Sequence, residues 1–462
     1  MTGKNLRDKD IYEDTGPIRK DEENLEPIKP EDRPMGWVSY LMLWLGGCIS
    51  IGTLAIGSAQ LSNGLNFLQI FLAVTIGTSI LIFCILLNDK FSYQTGSPYA
   101  IQLKSAFGTK GSIIPVMIRG LPAIVWYGYQ SWLGGSVINQ ISITLFNYDN
   151  VWLFFLAFQL IQIILSLRGF SGISWIKNIS GVVMALVMLY MLYVSITRYG
   201  DVIQSNLVNI KGTWGLPFFG AIMAFFGNST TVMLNAGDYS RQLKVGYGFA
   251  KRGLSYIIST LPATILLGLI GAMASTATGI ANPINAFSTM VNNDIMLVIT
   301  LTFILFAQMS NNLTSNVLPP TYAFMDAFKL KYKPAVLIVG ILAIFTFPWV
   351  LTNDSSSAGL AIFVKVYTSF FGPIFAILVT DYYILHKGNV SKEYLAELYK
   401  NDSIRKGTNW VAIIALVVGA IIGLLNVDIS FFTATIPTAL VYYLGTKYSK
   451  ITKRFRKGTA LE

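Results

Sequence analysis

Trp126 and Gln130 stand four residues apart in the stretch WYGYQSWLGG (126–135), so a helix presents both on one face, and Gly134 continues that face and leaves space beside it. A Trp plane stacks on a flat ring with ~0.5–1.5 kcal/mol beyond area burial. A Gln amide offers one acceptor oxygen and two donor hydrogens. Together they suit the paired N–H and C=O edge of a nucleobase or cyclic ureide, where a mismatch leaves buried polar groups unpaired. The competing reading is an aromatic belt at the lipid interface, and it fits Tyr127, Tyr129 and Trp132 better.

A second polar face lies in FAQMSNNLTSNVLPP (306–320). Ala307, Ser310, Asn311 and Thr314 are spaced i, i+3, i+4 and i+7, which is one side of a helix. Asn311, Asn312 and Asn316 are costly in lipid unless they face protein or water. Hydrogen bonding between helices accounts for one Asn easily; this many amides and hydroxyls in one segment points to a wet or liganded face. Na⁺ accepts carbonyl and hydroxyl oxygens, so Ser310 and Asn311 are candidate side-chain ligands. A helix broken over 46–50 would add free backbone oxygens.

Catalytic chemistry finds little support. No paired acids, Ser–His–Asp set or Cys–His set falls within the apolar segments, and general acid–base work needs titratable groups with matched pKa values. One His (His386) and two separated Cys (Cys48 and Cys84) make neither a zinc or iron site nor a disulfide framework. No enzyme activity and no cofactor are expected. Neutral hydrogen-bonding groups and aromatic faces remain, which suit recognition of a neutral planar solute.

The elements that must position these residues are membrane spans. The chain has 462 residues, 53% hydrophobic and only 12% charged, against about 25% charged in ordinary soluble domains. Uncharged apolar stretches long enough to cross ~30 Å of hydrocarbon predict twelve spans, at 36–62, 67–88, 113–142, 151–167, 173–196, 215–237, 253–276, 294–318, 334–353, 358–385, 409–426 and 429–446. The net charge of +11 reports topology. All 34 Lys and Arg except Arg119, Arg198, Lys211 and Lys365 fall on or at the edge of one side, which the positive-inside rule makes cytoplasmic, together with both termini. A nucleic-acid partner is thereby disfavoured; the expected surroundings are the lipid bilayer of the cell (plasma) membrane. Residues 1–34 are charged and lack an apolar signal-peptide core.

Two spans carry interruptions, LGGCISIGT (45–53) and FFGNSTTV (225–232). Unwound backbone at membrane depth is tolerated only where it is buried or lines a cavity. Interruptions at corresponding places in two five-helix halves point to a transporter with inverted repeats; small-residue packing faces are the alternative. Lys365 either snorkels outward or faces the outer vestibule. Arg119 is placed to pair with an inner-loop acid, and Asp238 and Arg241 to orient the loop after the sixth span.

From about residue 33 to 446 the chain resembles the nucleobase:cation-symport-1 family. The resemblance is carried by RPMGWVSYLMLWLGG (33–47), TGSPYAIQLKSAFGTKGSIIPVMIRG (95–120), WYGYQSWLGG, NAGDYSR (235–241), AQMSNNLTSN (307–316) and FFGPIFAILVTDYY (370–383), whose order and spacing are specific together. It implies an all-α fold of the LeuT type, a five-plus-five inverted repeat with two additional C-terminal helices. The corresponding division is a tail at 1–34, repeats at 35–198 and 199–386, a loop and last two helices at 387–447, and a tail at 448–462. It implies import of a nucleobase, hydantoin, allantoin or related heterocycle with Na⁺ or H⁺, by a protein expected to be a monomer. A proton-coupled transporter of the same fold for amino acids or another small solute is the alternative.

Residue by residue, the resemblance makes Trp126 the stacking residue, Gln130 the hydrogen-bonding amide and Asn316 a polar substrate contact. The sodium positions fall on Gly46, Ile49 and Ala307 (carbonyls), Ser310 and Asn311. Several positions depart from the pattern. Ser229 stands where hydantoin-type members have a second stacking Trp, with Asn228 beside it and Phe226 as the substitute aromatic. Ser50 occupies an amide position and Gly52 a common Pro. Asn311 replaces a hydroxyl, which leaves Na⁺ and H⁺ both open.

Overall fold

The computed structural model describes residues 25–462 apart from 49, 292, 353–356 and 401–403, with backbone alone for 169–185, 187, 207–208, 307, 352 and 357–361. Among the described residues the chain is helical, without β-strands; one isolated bridge joins Met35 to Leu243. In order the helices are α1 (Trp37–Cys48), α2 (Ile51–Ser62), α3 (Phe67–Thr95), α4 (Tyr99–Phe107), α5 (Ile113–Phe146), α6 (Val151–Ser166) and α7 (Gly169–Asn209). They continue with α8 (Leu216–Asn228), α9 (Thr230–Leu234), α10 (Ala236–Ser240), α11 (Phe249–Thr278), α12 (Pro283–Met290), α13 (Asp294–Asn312) and α14 (Leu318–Phe328). The last are α15 (Tyr332–Ile344), α16 (Pro348–Thr352), α17 (Ser357–Val379), α18 (Lys392–Tyr399), α19 (Trp410–Leu425) and α20 (Ser430–Tyr448).

Among the described residues five helices, counting α13 to α14 as one, are long and apolar enough to cross a membrane, or six if α1 and α2 form one bent span. That pair bends by 49°. Ser50 makes the re-entry: its backbone is extended and its Oγ accepts from the Gly52 N–H at 3.0 Å, capping α2. The second interruption falls where α8 stops at Asn228, with Ser229 non-helical before α9. Both interrupted stretches are therefore real breaks in the helices.

The eighth apolar segment runs further than its predicted end at 318. Five residues of π-helix, Leu313–Val317, join α13 to α14. The widened turn runs into the Pro319–Pro320 pair of α14, whose missing N–H groups leave carbonyls one turn back to outside donors: Tyr239 donates to the Thr314 carbonyl at 2.8 Å and Arg119 to that of Ser315 at 3.3 Å. A second π segment, Thr380–Leu385, follows α17. Elsewhere α3 continues to Thr95, ended by Gly96 at φ 73°, and helices α4 and α18 fill stretches expected to be loops. Polar anchors hold α4: the Tyr99 N–H donates to Asp238 Oδ1 at 2.9 Å, and Asn409 Nδ2 donates to the Ala106 carbonyl at 2.8 Å. Asp238 thus anchors the start of α4.

The first and last described segments lie at one end of the bundle. Ile28 N–H bonds to the Gly96 carbonyl at 3.0 Å and Ala460 N–H to the Leu385 carbonyl at 2.6 Å, while Tyr382, beside Leu385, donates to Gln94. At this terminal end, Arg252 grips Asp89 through Nε at 3.0 Å and Nη2 at 3.2 Å. Tyr256 donates to the same carboxylate at 2.5 Å and meets Tyr40 Oη at 2.8 Å. The cluster links α1, α3 and α11. Lys365, on α17, pairs with an acid: its Nζ lies 2.5 Å from Asp428 Oδ1, between α19 and α20.

Helix α2 crosses α11 at backbone contact. A Cβ on Gly57 would sit 2.0 Å from the Gly268 carbonyl oxygen, and one on Gly271 2.0 Å from that of Leu54. Gly57→Ala must therefore push the two helices apart. Overpacking of this kind costs about 1–3 kcal/mol, so the variant should melt several degrees below the parent in detergent; an unchanged melting temperature would mean that the crossing is looser than described.

Candidate functional site

The two breaks bring Ser50, Asn228 and Trp126 close together. A Cβ on Gly52 would lie 3.1 Å from Ser50 Oγ, 3.4 Å from Asn228 Oδ1 and 3.8 Å from Trp126 Cζ3. Residues from α2, α8 and α5 thus converge on one small gap that Gly52 keeps open. Asn228 Nδ2 donates to Thr53 Oγ1 at 3.2 Å, tying one break to the other. Trp126 is 3% exposed. Its indole N–H donates to Tyr367 Oη at 3.3 Å, and Tyr367 donates to the Gly227 carbonyl at 3.0 Å. The Trp126 ring is therefore fixed against the broken sixth segment by α17.

Gln130 lies one turn on, and its Oε1 is buried without a hydrogen-bond partner. An unpaired buried acceptor costs about 1–3 kcal/mol, so it marks a place where an N–H donor is wanted. Ser310 Oγ is likewise buried and unpartnered. Gln308, which sequence reasoning passed over, bridges two helices: its Oε1 accepts from Ile51 N–H at 3.5 Å and its Nε2 reaches the Gln130 backbone carbonyl at 3.4 Å. It touches the start of α2 and the middle of α5 from α13.

Other sequence assignments land differently. Phe226 does not substitute for a second stacking Trp over Trp126. Its ring packs on Phe431 at 4.6 Å and Phe432 at 5.6 Å, because the break at Ser229 leaves this face of α8 against α20. The space beside Gly134 is filled: a Cβ there would sit 2.3 Å from Phe158 Cε1. Tyr127 and Tyr129 are buried, not belt residues, and Tyr129 meets Trp126 edge-on at 5.4 Å. Trp132 joins Trp152 and Trp349 at centroid distances of 4.9 and 5.9 Å.

Asn316 donates to Asn312 Oδ1 at 3.0 Å, and Asn312 in turn donates to Gln162 Oε1 at 3.0 Å. Asn312 thus spends its amide between helices, while Asn311 Oδ1 accepts from Ser315 at 3.1 Å. Gly46 is buried in the last turn of α1, where carbonyls lack intrahelical donors. Ile49 lies outside the described residues, and of Ala307 only the backbone, within α13, is described. Ser229 borders a chamber on the terminal side of the break. Arg119 reaches no acid directly: it donates to Asn235 Oδ1 at 2.7 Å and to the Ser315 carbonyl at 3.3 Å, with Asn235 Nδ2 then 3.4 Å from Asp238 Oδ2.

Broken apolar helices with neutral aromatic and amide side chains gathered at the breaks are the architecture of a membrane transporter. The chain belongs to the family of permeases for cytosine/purines, uracil, thiamine and allantoin, whose sequence profile matches residues 27–446. It is 25% identical over 433 residues to the hydantoin permease of Microbacterium maritypicum, covering 90% of this chain and 86% of that one. It is 23% identical over 461 residues to the allantoin permease of Bacillus subtilis (strain 168), covering 92% of each. Its fold matches the solved structure of a nucleobase-cation-symport-1 family transporter in a closed conformation with bromovinylhydantoin bound, with a TM-score of 0.81, 24% identity, and coverage of 94% of this chain and 98% of that one. The protein is thus an integral membrane permease and not an enzyme.

Proposed function

We propose that this permease imports a neutral nucleobase-like or ureide heterocycle by cation symport. The observation that carries the reading is the buried, unpartnered Gln130 Oε1 beside the fixed plane of Trp126, where the two broken helices meet. The heterocycle stacks on Trp126 and donates a ring N–H to Gln130. Asn228 and Ser50 supply a polar wall in place of a second aromatic plane, and Asn316 and Ser229 are further contacts. N-methylation at the donating position removes the matching hydrogen and should abolish binding, whereas C-alkylated analogues should be tolerated better.

The coupling cation is Na⁺, held by carbonyls of Gly46, Ile49 and Ala307 with Ser310 and Asn311. Support comes from the unpartnered Ser310 Oγ and the free carbonyls at the end of α1. Cation entry down a 100 mV potential supplies ~2.3 kcal/mol. Its binding favours one arrangement of α1 against α13 only through differential affinity for the two states, and Gln308 links that pair to Gln130. Twelve spans, a LeuT-type five-plus-five repeat, cytoplasmic termini, a plasma-membrane location and a monomeric state complete the proposal.

Ser310→Ala tests the ion. It should weaken Na⁺ stimulation of substrate binding about fivefold or more, the worth of one lost ligand contact of ~1 kcal/mol. Uptake indifferent to Na⁺ but dependent on the proton gradient would refute the sodium site.

A further inference from the structure

Helix α5 leaves the terminal end of the bundle, where the Thr109 N–H donates to the Arg405 carbonyl and Arg405 donates to that of Phe455. At 1.5 Å per residue, Trp132 lies roughly 28 Å beyond Ile113 along that helix, toward the opposite end. There it meets Trp152, at the start of α6, and Trp349, on α16. Ring centroids are 4.9 Å apart for Trp132 and Trp152, 5.9 Å for Trp132 and Trp349, and 4.6 Å for Trp152 and Trp349. The three indoles border a cleft of about 330 Å³, with Ser136, Val151 and Asn282 among its other walls.

An interface belt would turn such rings separately toward lipid headgroups. Here they close on one another, and Trp152 alone is exposed, at 48%. The rings are inclined by 54–75°, so no pair covers its faces by stacking. A flat solute can therefore still lie on an indole face, a contact worth ~0.5–1.5 kcal/mol beyond area burial.

The polar groups of the cleft are mostly donors. Asn282 spends its Oδ1 capping α12, accepting from the Ile284 N–H at 2.9 Å, which leaves its amide N–H groups. Those N–H groups, and the indole N–H groups of Trp132 and Trp152, have no protein partner among the described residues. Ser136 Oγ donates to the Trp132 carbonyl at 2.9 Å and keeps its lone pairs as acceptors. No Asp, Glu, Lys, Arg or His is among the described walls. Such a lining suits a neutral ring rich in carbonyl oxygens, and the space is ample: benzene enters a cavity of about 150 Å³. Leu133 also borders the cleft and stands three residues from Gln130, on the same helical face.

We propose that the Trp132–Trp152–Trp349 cleft is a second, weaker solute site on the face away from the termini, where a neutral carbonyl-bearing heterocycle stacks on Trp152 and accepts from Asn282 before it reaches Trp126 and Gln130. The inference rests on the import reading above for its solute class and for the order of the two sites. Val151→Cys places a reporter thiol in the cleft wall, with Cys48→Ala and Cys84→Ala removing the native ones. This purified protein is labelled with N-ethylmaleimide in the presence and absence of uracil, allantoin or hydantoin at millimolar concentration, and stabilisation is followed in parallel by melting.

At least one heterocycle should slow labelling saturably, about threefold or more, and should still do so after Gln130→Ala. Trp152→Leu should remove that protection. Asn282→Asp keeps the cap on α12 but replaces the donating N–H groups with an oxygen, and should raise the concentration needed for half-protection about fivefold, the equivalent of ~1 kcal/mol. Protection that vanishes with Gln130→Ala reports the inner pocket alone and overturns the second site, as does protection retained after both Trp152→Leu and Asn282→Asp. Stabilisation without protection also overturns it and leaves the import reading intact. Protection without any Gln130-dependent stabilisation upholds the cleft and refutes the inner pocket instead. If no heterocycle protects or stabilises, both fall.

Discussion

Gln130→Ala should lower heterocycle affinity about 10- to 100-fold, with the protein still folding and reaching the membrane. The magnitude follows from the worth of a buried hydrogen bond, roughly 1–3 kcal/mol once the ligand N–H is left unpaired in its turn. Folding should not suffer, because Gln130 Oε1 has no partner in the protein and removing it strands nothing. The prediction even has a favourable stability sign: an unpaired buried acceptor is lost, and the apo protein should melt no lower than the parent. Binding measured by tryptophan quenching or calorimetry checks the first part and melting checks the second. Unchanged affinity would remove Gln130 from the site, and a sharply lowered melting temperature would make it structural.

Arg252→Ala should have the largest effect on stability. Arg252 and Asp89 form a two-pronged pair whose side chains are 4% and 0% exposed. The guanidinium also lies 4.4 Å from the Tyr93 ring centre and donates to the Tyr247 carbonyl at 3.2 Å. Truncation strands a buried carboxylate, a loss of about 3–5 kcal/mol. The melting temperature in detergent should fall steeply, and removing both charges with Asp89→Leu and Arg252→Met should recover much of the loss, because no unpaired charge remains. A double variant no better than Arg252→Ala would show that packing on Tyr93, not charge, holds the corner.

Features set by local spacing were legible in the sequence. Trp126 and Gln130 share a face because four residues make about one helical turn. Gly, Ser and Thr at mid-span announced the breaks that the structure places at Ser50 and Ser229. Contacts made across the fold were not legible. Tyr367 meets Trp126 over 241 positions and Gln308 meets Gln130 over 178, and no period in the chain relates such residues.

The misplaced residues fail for a related reason. Phe226 and Gly134 sit where a continuous helix would aim them at the pocket, but packing of α8 on α20 and of α5 on α6 decides where those faces point. Tyr127 and Tyr129 looked like belt residues because composition does not report burial. The extension of the eighth segment past its Pro pair depended on a π turn, for which neutral Asn, Ser and Thr give no distinctive signal.

The account is tested most directly by melting the purified protein with uracil, allantoin and hydantoin, each with and without Na⁺, alongside analogues methylated at the ring nitrogen. A ligand that binds only the folded state raises apparent stability by about 2.7 kcal/mol at 100 times its Kd. The predicted result is stabilisation by at least one free N–H heterocycle, strengthened by Na⁺ and abolished by N-methylation. Stabilisation by the methylated analogue as strong as by its parent, or by none of the heterocycles under either ion condition, would contradict a pocket built from Trp126 and Gln130.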